Sequence, residues 1–198
     1  MSSANKSNNP IPNNEYPVYS KNQEEVTHIR PARPSEDGTI HAIIMQAFAD
    51  AEHSNHREQH VVDALRNAGA LTYSFVSILE GRPVGHVAIS PVAVEVTDES
   101  GKKQQVEGFY GIGPISVLPE LQGQGHGAAL MEHALDQLRA VNARGAVVLG
   151  DPSYYKRFGF GPSDMAYADA PSEYFQALSL DGDALPQSTV TYHEAFNA

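Results

Sequence analysis

Between an apolar run ending at Leu118 and an amphipathic stripe beginning at Leu130, the chain reads Pro119-Glu120-Leu121-Gln122-Gly123-Gln124-Gly125-His126-Gly127. Three glycines within five residues weaken a helix end, because glycine loses more backbone entropy on ordering than any other residue. A ligand is the stronger reason for their presence. The first amides of a helix have no partner within it, and its N-terminus carries roughly half a positive charge. Glycines strip that end of side chains, so an anion such as a diphosphate reaches the N–H groups directly. A strand, this loop and a long helix are therefore set in order, and the rest of the chain has to build around them.

Three kinds of phosphate loop compete for this stretch. A P-loop requires Gly-x4-Gly-Lys-Ser/Thr, and no Lys follows these glycines. A dinucleotide loop is met in form by Gly123, Gly125 and Ala128, with Asp151 after the next apolar run in the place of a ribose-binding acid. Pro119 to Gln122 nevertheless separate strand from glycines, where that turn is tight. The unit also begins beyond the middle of a 198-residue chain, leaving little room for a doubly wound sheet. An NAD(P)-binding oxidoreductase is thus the weaker reading. The third pattern, the acyl-CoA loop Gln/Arg-x-x-Gly-x-Gly/Ala, is met by Gln122, Gly125 and Gly127.

The flanking patterns supply the other elements. Val26–Arg30 reads as a strand stopped by Pro31 and Pro34, with Ser35 or Asp37 capping a helix that carries Ile40, Ile43, Ile44, Ala47 and Phe48 on one face. Val61, Val62, Leu65 and Ala68 predict a second helix ending near Gly69. Tyr73–Glu80 reads as a strand, Gly81-Arg82-Pro83 as a turn, and Val84–Val96 as one longer strand with His86 on the face opposite Val87. Val106–Leu118 returns as a further strand. Leu130, Met131, Ala134, Leu135, Leu138 and Val141 mark the long helix, closed by Gly145, and Ala146–Leu149 is a wholly apolar strand, as where both faces are covered. Tyr154–Phe158 predicts a short helix. Tyr174–Leu180 and Thr189–His193 read as a final hairpin across Asp181-Gly182-Asp183. The order is that of an α+β layout with helices against a mixed sheet.

Several stretches together resemble the GNAT superfamily of N-acetyltransferases, in particular its YhbS-like branch. They are Val84-Gly85-His86-Val87, Ser90-Pro91-Val92, Gly113-Pro114-Ile115, Val117-Leu118-Pro119, the Gln122–Gly127 loop, and Leu149-Gly150-Asp151-Pro152-x-Tyr154-Tyr155-x-Arg157-Phe158-Gly159-Phe160. The resemblance runs from about Val26 to the C-terminus. It implies a GNAT-like α+β fold with a mixed, mostly antiparallel central sheet flanked by helices. It further implies transfer of an acetyl group directly from acetyl-CoA, as cosubstrate, to an amine of a small molecule or peptide. The amides of Gln122, Gly123, Gln124, Gly125, His126 and Gly127 would then hold the pyrophosphate, and the strand backbone at Ile115 and Val117 the pantetheine arm. A non-catalytic acyl-CoA-binding or sensing module is the alternative on the same fold.

An amine must be neutral to attack a thioester. With a pKa near 10 only about one in a thousand is neutral at pH 7, a deficit of roughly 4 kcal/mol. A general base would offset it. His86, with the most suitable intrinsic pKa, Glu107 and Tyr110 are the candidates, and each has a plainer alternative as a packed strand residue or a solvated charge. For the leaving thiolate, the resemblance puts Tyr155 in the place of the superfamily's proton donor, next to the coenzyme; a phenol holds its proton at pH 7. The alternative is an aromatic wall with Phe158 and Phe160, and Tyr154 is the fallback donor.

Composition narrows the partners. A formal charge of −11 argues against a phosphate-neutralising nucleic-acid binder; it favours a cationic acceptor, with acidity that serves only solubility as the plainer alternative. With no Cys there is no cysteine acyl-enzyme and no thiolate metal site. His53, His56 and His60 suggest a metal at first sight, but His-Arg-Glu-Gln-His is not the zinc-protease pattern, so no metal is expected; the resemblance implies that the segment lines the acceptor pocket, and a polar surface loop is the plainer alternative. No run approaches the ~18 apolar residues of a membrane span. Residues 1–24, rich in Asn, Ser and Pro and without a signal-peptide core, read as a flexible polar tail before a single domain over 25–198. A cytoplasmic location is expected, with a homodimer left open.

Overall fold

The computed structural model describes residues 16–19, 26–51, 54–168 and 170–198. Strand β1 (Tyr16–Tyr19) lies within the stretch expected to be a tail and pairs antiparallel with β2 (Val26–Pro31). A 3-10 turn over Pro34–Glu36 leads into helix α1 (Asp37–Ala47). Neither Ser35 nor Asp37 caps it. Instead the Glu36 carboxylate accepts the Arg33 N–H at 2.8 Å and the Arg30 guanidinium at 2.6 Å, while Asp37 pairs with Arg66 of helix α2 (Glu58–Asn67). Ile40, Ile44 and Val62 of these two helices bury one face against Val76 of β3 (Tyr73–Leu79) and Ala88 of β4 (Arg82–Pro91).

The long strand expected over Val84–Val96 is two strands. The chain leaves β4 at Pro91 and continues as β5 (Ala93–Thr97) in a second sheet. Proline has no N–H for a central ladder, so a change of sheet at that residue leaves no hydrogen bond unmade. The return likewise divides into β6 (Lys103–Val106) and β7 (Phe109–Val117), with Gly108 at φ 91° between them.

Helix α3 (His126–Ala140) covers the other face of the main sheet. Leu130, Met131, Ala134 and Leu138 are fully buried against Val87 and Ile89. Each large apolar side chain so buried contributes about 1.5–3 kcal/mol. Val141, read as the end of that stripe, lies just past the helix and is exposed. Gly145 opens β8 (Gly145–Leu149), and α4 (Pro152–Tyr155) runs into a 3-10 turn over Lys156–Phe158.

Strands β9 (Met165–Tyr167), β10 (Phe175–Ser179) and β11 (Ser188–Thr191) complete the described strands, and a 3-10 turn over Glu194–Asn197 follows. The expected final hairpin is absent, because β10 pairs with β8 while β11 pairs with β5 and β9. The main sheet runs β1-β2-β3-β4-β7-β8-β10, antiparallel except for β7 and β8. The second runs β6-β5-β11-β9. Val94, Phe109, Val147, Phe175 and Val190 fill the space between the two sheets.

Candidate active site

Strands β7 and β8 start as parallel neighbours and then part. Phe109, Tyr110 and Gly111 pair with Gly145, Ala146 and Val147, and the pairing stops there although both strands continue. The cause is in β7. Against β4, Ile115 faces Val87 but Ile112 faces Ile89, so β7 holds one residue more than its partner across Gly113–Pro114. Such a bulge bends its strand, and a proline within it has no N–H to hold a neighbour. A wedge opens between the two strands.

The backbone facing that wedge can be assigned from the ladder. Leu118 donates its N–H to the Val84 carbonyl, 2.9 Å away. Residues of the other parity, Val117 and Ile115, therefore turn their N–H and C=O groups away from β4. On that side Gln122 Nε2 donates to the Val117 carbonyl at 3.1 Å, fastening the loop to the end of the strand.

The loop itself is a 3-10 turn over Pro119–Leu121 followed by the glycines. Gly123 and Gly125 lie at φ 74° and 98°, a region that side-chain-bearing residues resist, and a Cβ on either would meet no atom within 4 Å. Conformation and open space, not crowding, thus explain these two. No side chain caps α3; Gly125 is its N-cap and accepts the Ala129 N–H. The site is a helix N-terminus without a side-chain cap, and such an end can take an anion. The Gln124 side chain folds back onto the Glu120 carbonyl at 3.0 Å. His126 is in the loop through its backbone alone: its ring is buried and Nδ1 lies 2.9 Å from Ser77 Oγ on β3, pinning the helix start to the sheet. A Cβ on Gly127 would stand 2.9 Å from Tyr154 Oη, so that phenol lies over the first turn of α3.

Tyr155 stands at the other side of the wedge. Asp151 caps α4, accepting the Ser153 N–H at 2.8 Å and the Ser153 hydroxyl at 2.7 Å. The Tyr155 ring then packs edge-on against Tyr154 and Phe160 and lies over Gly150, just past the end of β8. Burial, helped by Tyr154 and Asp151, raises its pKa well above the usual phenol value. It stays protonated at neutral pH.

The base candidates do not join this site. His86 is fully buried on the face of β4 that carries Ala88, packed under α1 and α2, with Nε2 2.8 Å from Ser74 Oγ. Burial, with the Arg66 charge, lowers its pKa to about 3, which leaves a neutral ring and a weak base. Glu107 is exposed in the connection before β7, at the end where β7 and β8 are still paired, because the strand begins only after Gly108. Tyr110 is half-buried and packs against the core cluster, where β7 and β8 are still paired.

Among the histidines of the α1–α2 segment, His53 falls outside the described residues. His56 is exposed, its Nδ1 2.9 Å from the Phe48 carbonyl, and His60 instead meets His41 of α1. Sequence reading missed Tyr192, whose ring covers Gly111 at the root of the wedge; a Cβ there would fall 2.5 Å from Tyr192 Cε1. Burial, then Tyr167 and Tyr155, raises its pKa too. A glycine inside an apolar strand was the local sign of that close approach.

Residues 39–160 match the model of the Acetyltransferase (GNAT) family. The chain is 34% identical over 179 residues to the uncharacterised N-acetyltransferase YhbS of Escherichia coli, spanning 85% of this chain and 98% of that one. A crystal structure of a GNAT family acetyltransferase from Brucella melitensis in complex with acetyl-CoA superposes with a TM-score of 0.71 at 43% identity, over 86% of this chain and 97% of the other. That of Escherichia coli YhbS in complex with CoA does so with a TM-score of 0.74 at 31% identity, over 87% and 92%.

Proposed function

Since this chain belongs to the GNAT family of acetyltransferases and is an acetyl-CoA-dependent N-acetyltransferase, we propose that it acetylates a primary amine of a small molecule or peptide directly, with Tyr155 as the proton donor to the departing thiolate. Bound acetyl-CoA supplies the acetyl thioester and a diphosphate. The diphosphate sits on the amides of Gln122–Gly127, where the uncapped start of α3 and the open space above Gly123 and Gly125 suit it. The backbone of Ile115 and Val117 takes the pantetheine arm along the exposed edge of β7, and Tyr154 closes over the first turn of α3.

One observation carries the assignment of Tyr155: a buried phenol, held in its protonated form, lies at the end of β8 where β7 and β8 diverge. As the amine nitrogen bonds to the carbonyl carbon, the carbon–sulfur bond breaks and the sulfur takes the Tyr155 proton. The amine gives up its own proton to water, and water returns a proton to the Tyr155 phenolate, which restores the enzyme. Neither His86 nor Glu107 serves as base in this reading, and the acceptor enters from the population that is already neutral. The net charge of −11 favours acceptors that carry a cationic group besides the attacking amine.

The experiment is thiol release from acetyl-CoA across amines, polyamines, aminoglycosides and peptides, for the native chain and Tyr155→Phe. The variant should keep its acetyl-CoA affinity and lose about 100-fold or more in kcat. Unchanged turnover in Tyr155→Phe removes the tyrosine from the reaction.

A further inference from the structure

Helices α1 and α2 bring His41 together with His60 and Asp63, which lie 19 and 22 residues further along the chain. His41 Nδ1 stands 2.6 Å from Asp63 Oδ2, and the His41 and His60 rings meet edge-on at 5.5 Å. One ligand atom from each of His41, His60 and Asp63 can be chosen so that all lie within 4.8 Å of one another. We infer that these three residues form a binding site for a divalent transition metal of the zinc type, fastening α1 to α2.

The chemistry of the donors favours that class. Two imidazoles and one carboxylate suit zinc and its neighbours rather than magnesium or calcium, which take oxygen ligands. Metal–ligand distances of about 2.0–2.1 Å place tetrahedral ligand atoms roughly 3.3 Å apart, so small side-chain rotations suffice from the present spacing. His60 is exposed, and His41 and Asp63 are about one-third exposed, which leaves a path for the ion and room for water as a further ligand.

A second layer of contacts orients the carboxylate. Arg66 Nη1 holds the other oxygen of Asp63 at 2.9 Å, and Arg66 Nε is held by Asp37 at 3.1 Å. With the imidazoles neutral, Asp37, Asp63 and Arg66 leave one net negative charge beside the cation. Outer contacts that fix a ligand's direction are what a metal centre requires. The acetyl transfer itself calls on no metal, so the inference does not rest on the roles proposed at the wedge between β7 and β8.

The test is calorimetric titration of ZnCl2 into tag-free, metal-stripped protein, with the melting temperature followed in parallel. Native protein should bind about one zinc per chain and melt higher when loaded. His60→Gln removes an exposed ligand without touching the His41–Asp63 pair and should weaken binding at least about tenfold, since even outer contacts are worth that much. His41→Asn should do the same, and His56→Gln should bind as native. Zinc affinity that is absent in the native protein, unchanged in both His60→Gln and His41→Asn, or lost equally in His56→Gln, overturns the site.

Discussion

The Tyr155 ring lies so close to Gly150 that a Cβ on the glycine would stand 2.8 Å from Cε2 and 3.6 Å from the hydroxyl oxygen. A glycine immediately after β8 thereby decides where the phenol points. Gly150→Ala forces the ring to move, because the obstacle is the body of a buried side chain and not its free end. Turnover should fall about 10- to 100-fold, the scale on which a displacement near 1 Å acts. Affinity for acetyl-CoA, measured by calorimetry, should stay near native. A variant that turns over normally would show that the position of Tyr155 is immaterial.

Gly125 supports a second prediction. At φ 98° with open space around it, the position tolerates a side chain sterically but not conformationally. Gly125→Ala should lower acetyl-CoA affinity modestly, through a backbone cost of about 1–2 kcal/mol. Gly125→Asp adds a carboxylate where the diphosphate is proposed to sit and should lower affinity by well over about tenfold. Equal affinities for the two variants would place the diphosphate elsewhere.

The rate profile with pH follows from the proposed reading, in which neither His86 nor Glu107 acts as base. With His86 buried at a pKa of about 3 and Glu107 exposed away from the wedge, kcat/KM should climb steadily from pH 6.5 toward the pKa of the acceptor amine. Glu107→Gln should match the native enzyme within about twofold, as surface substitutions do. A plateau beginning near pH 6–7 would instead reveal an ionising group in the site.

Stability carries the opposite signature of the same histidine. The unfolded His86 binds a proton below about pH 6.5, whereas the folded ring stays neutral down to about 3. The unfolded state therefore binds more protons across that window. The contribution is fully present above pH 6.5 and is lost as pH falls, by at most about 1.4 kcal/mol per unit. His133, also lowered by burial, acts in the same direction. The melting temperature should drop between pH 7 and pH 5, before most carboxylates titrate, and His86→Gln should flatten the drop. A native profile that is level over this range contradicts the buried, neutral ring.

Periodicity placed α1, α2 and α3 within a few residues, because the spacing of Ile40, Ile43 and Ile44, or of Leu130, Ala134 and Leu138, is a property of neighbours along the chain. The same patterns overran at Pro91 and Gly108, where apolar character continues but the chain passes from one sheet to the other. Nothing local distinguishes a strand that continues from two strands in different layers. The last hairpin failed for the same reason: β10 lies at the edge of the main sheet beside β8, while β11 lies between β5 and β9 in the second.

At the site, the loop from Gln122 to Gly127 was legible because its glycines meet a local need, a positive φ at Gly123 and Gly125 and an uncovered helix start. The short helix that carries Tyr155 just after β8 was legible through the motif around it. The fate of His86, Glu107 and His60 was not, since burial, exposure and pairing across two helices are relations between residues far apart in the chain. Local order of strand, loop and helix was thus settled by residue types and their spacing alone. Which side chains meet, which are desolvated and where β7 parts from β8 were decided by packing, because those energies exist only once distant segments are in contact.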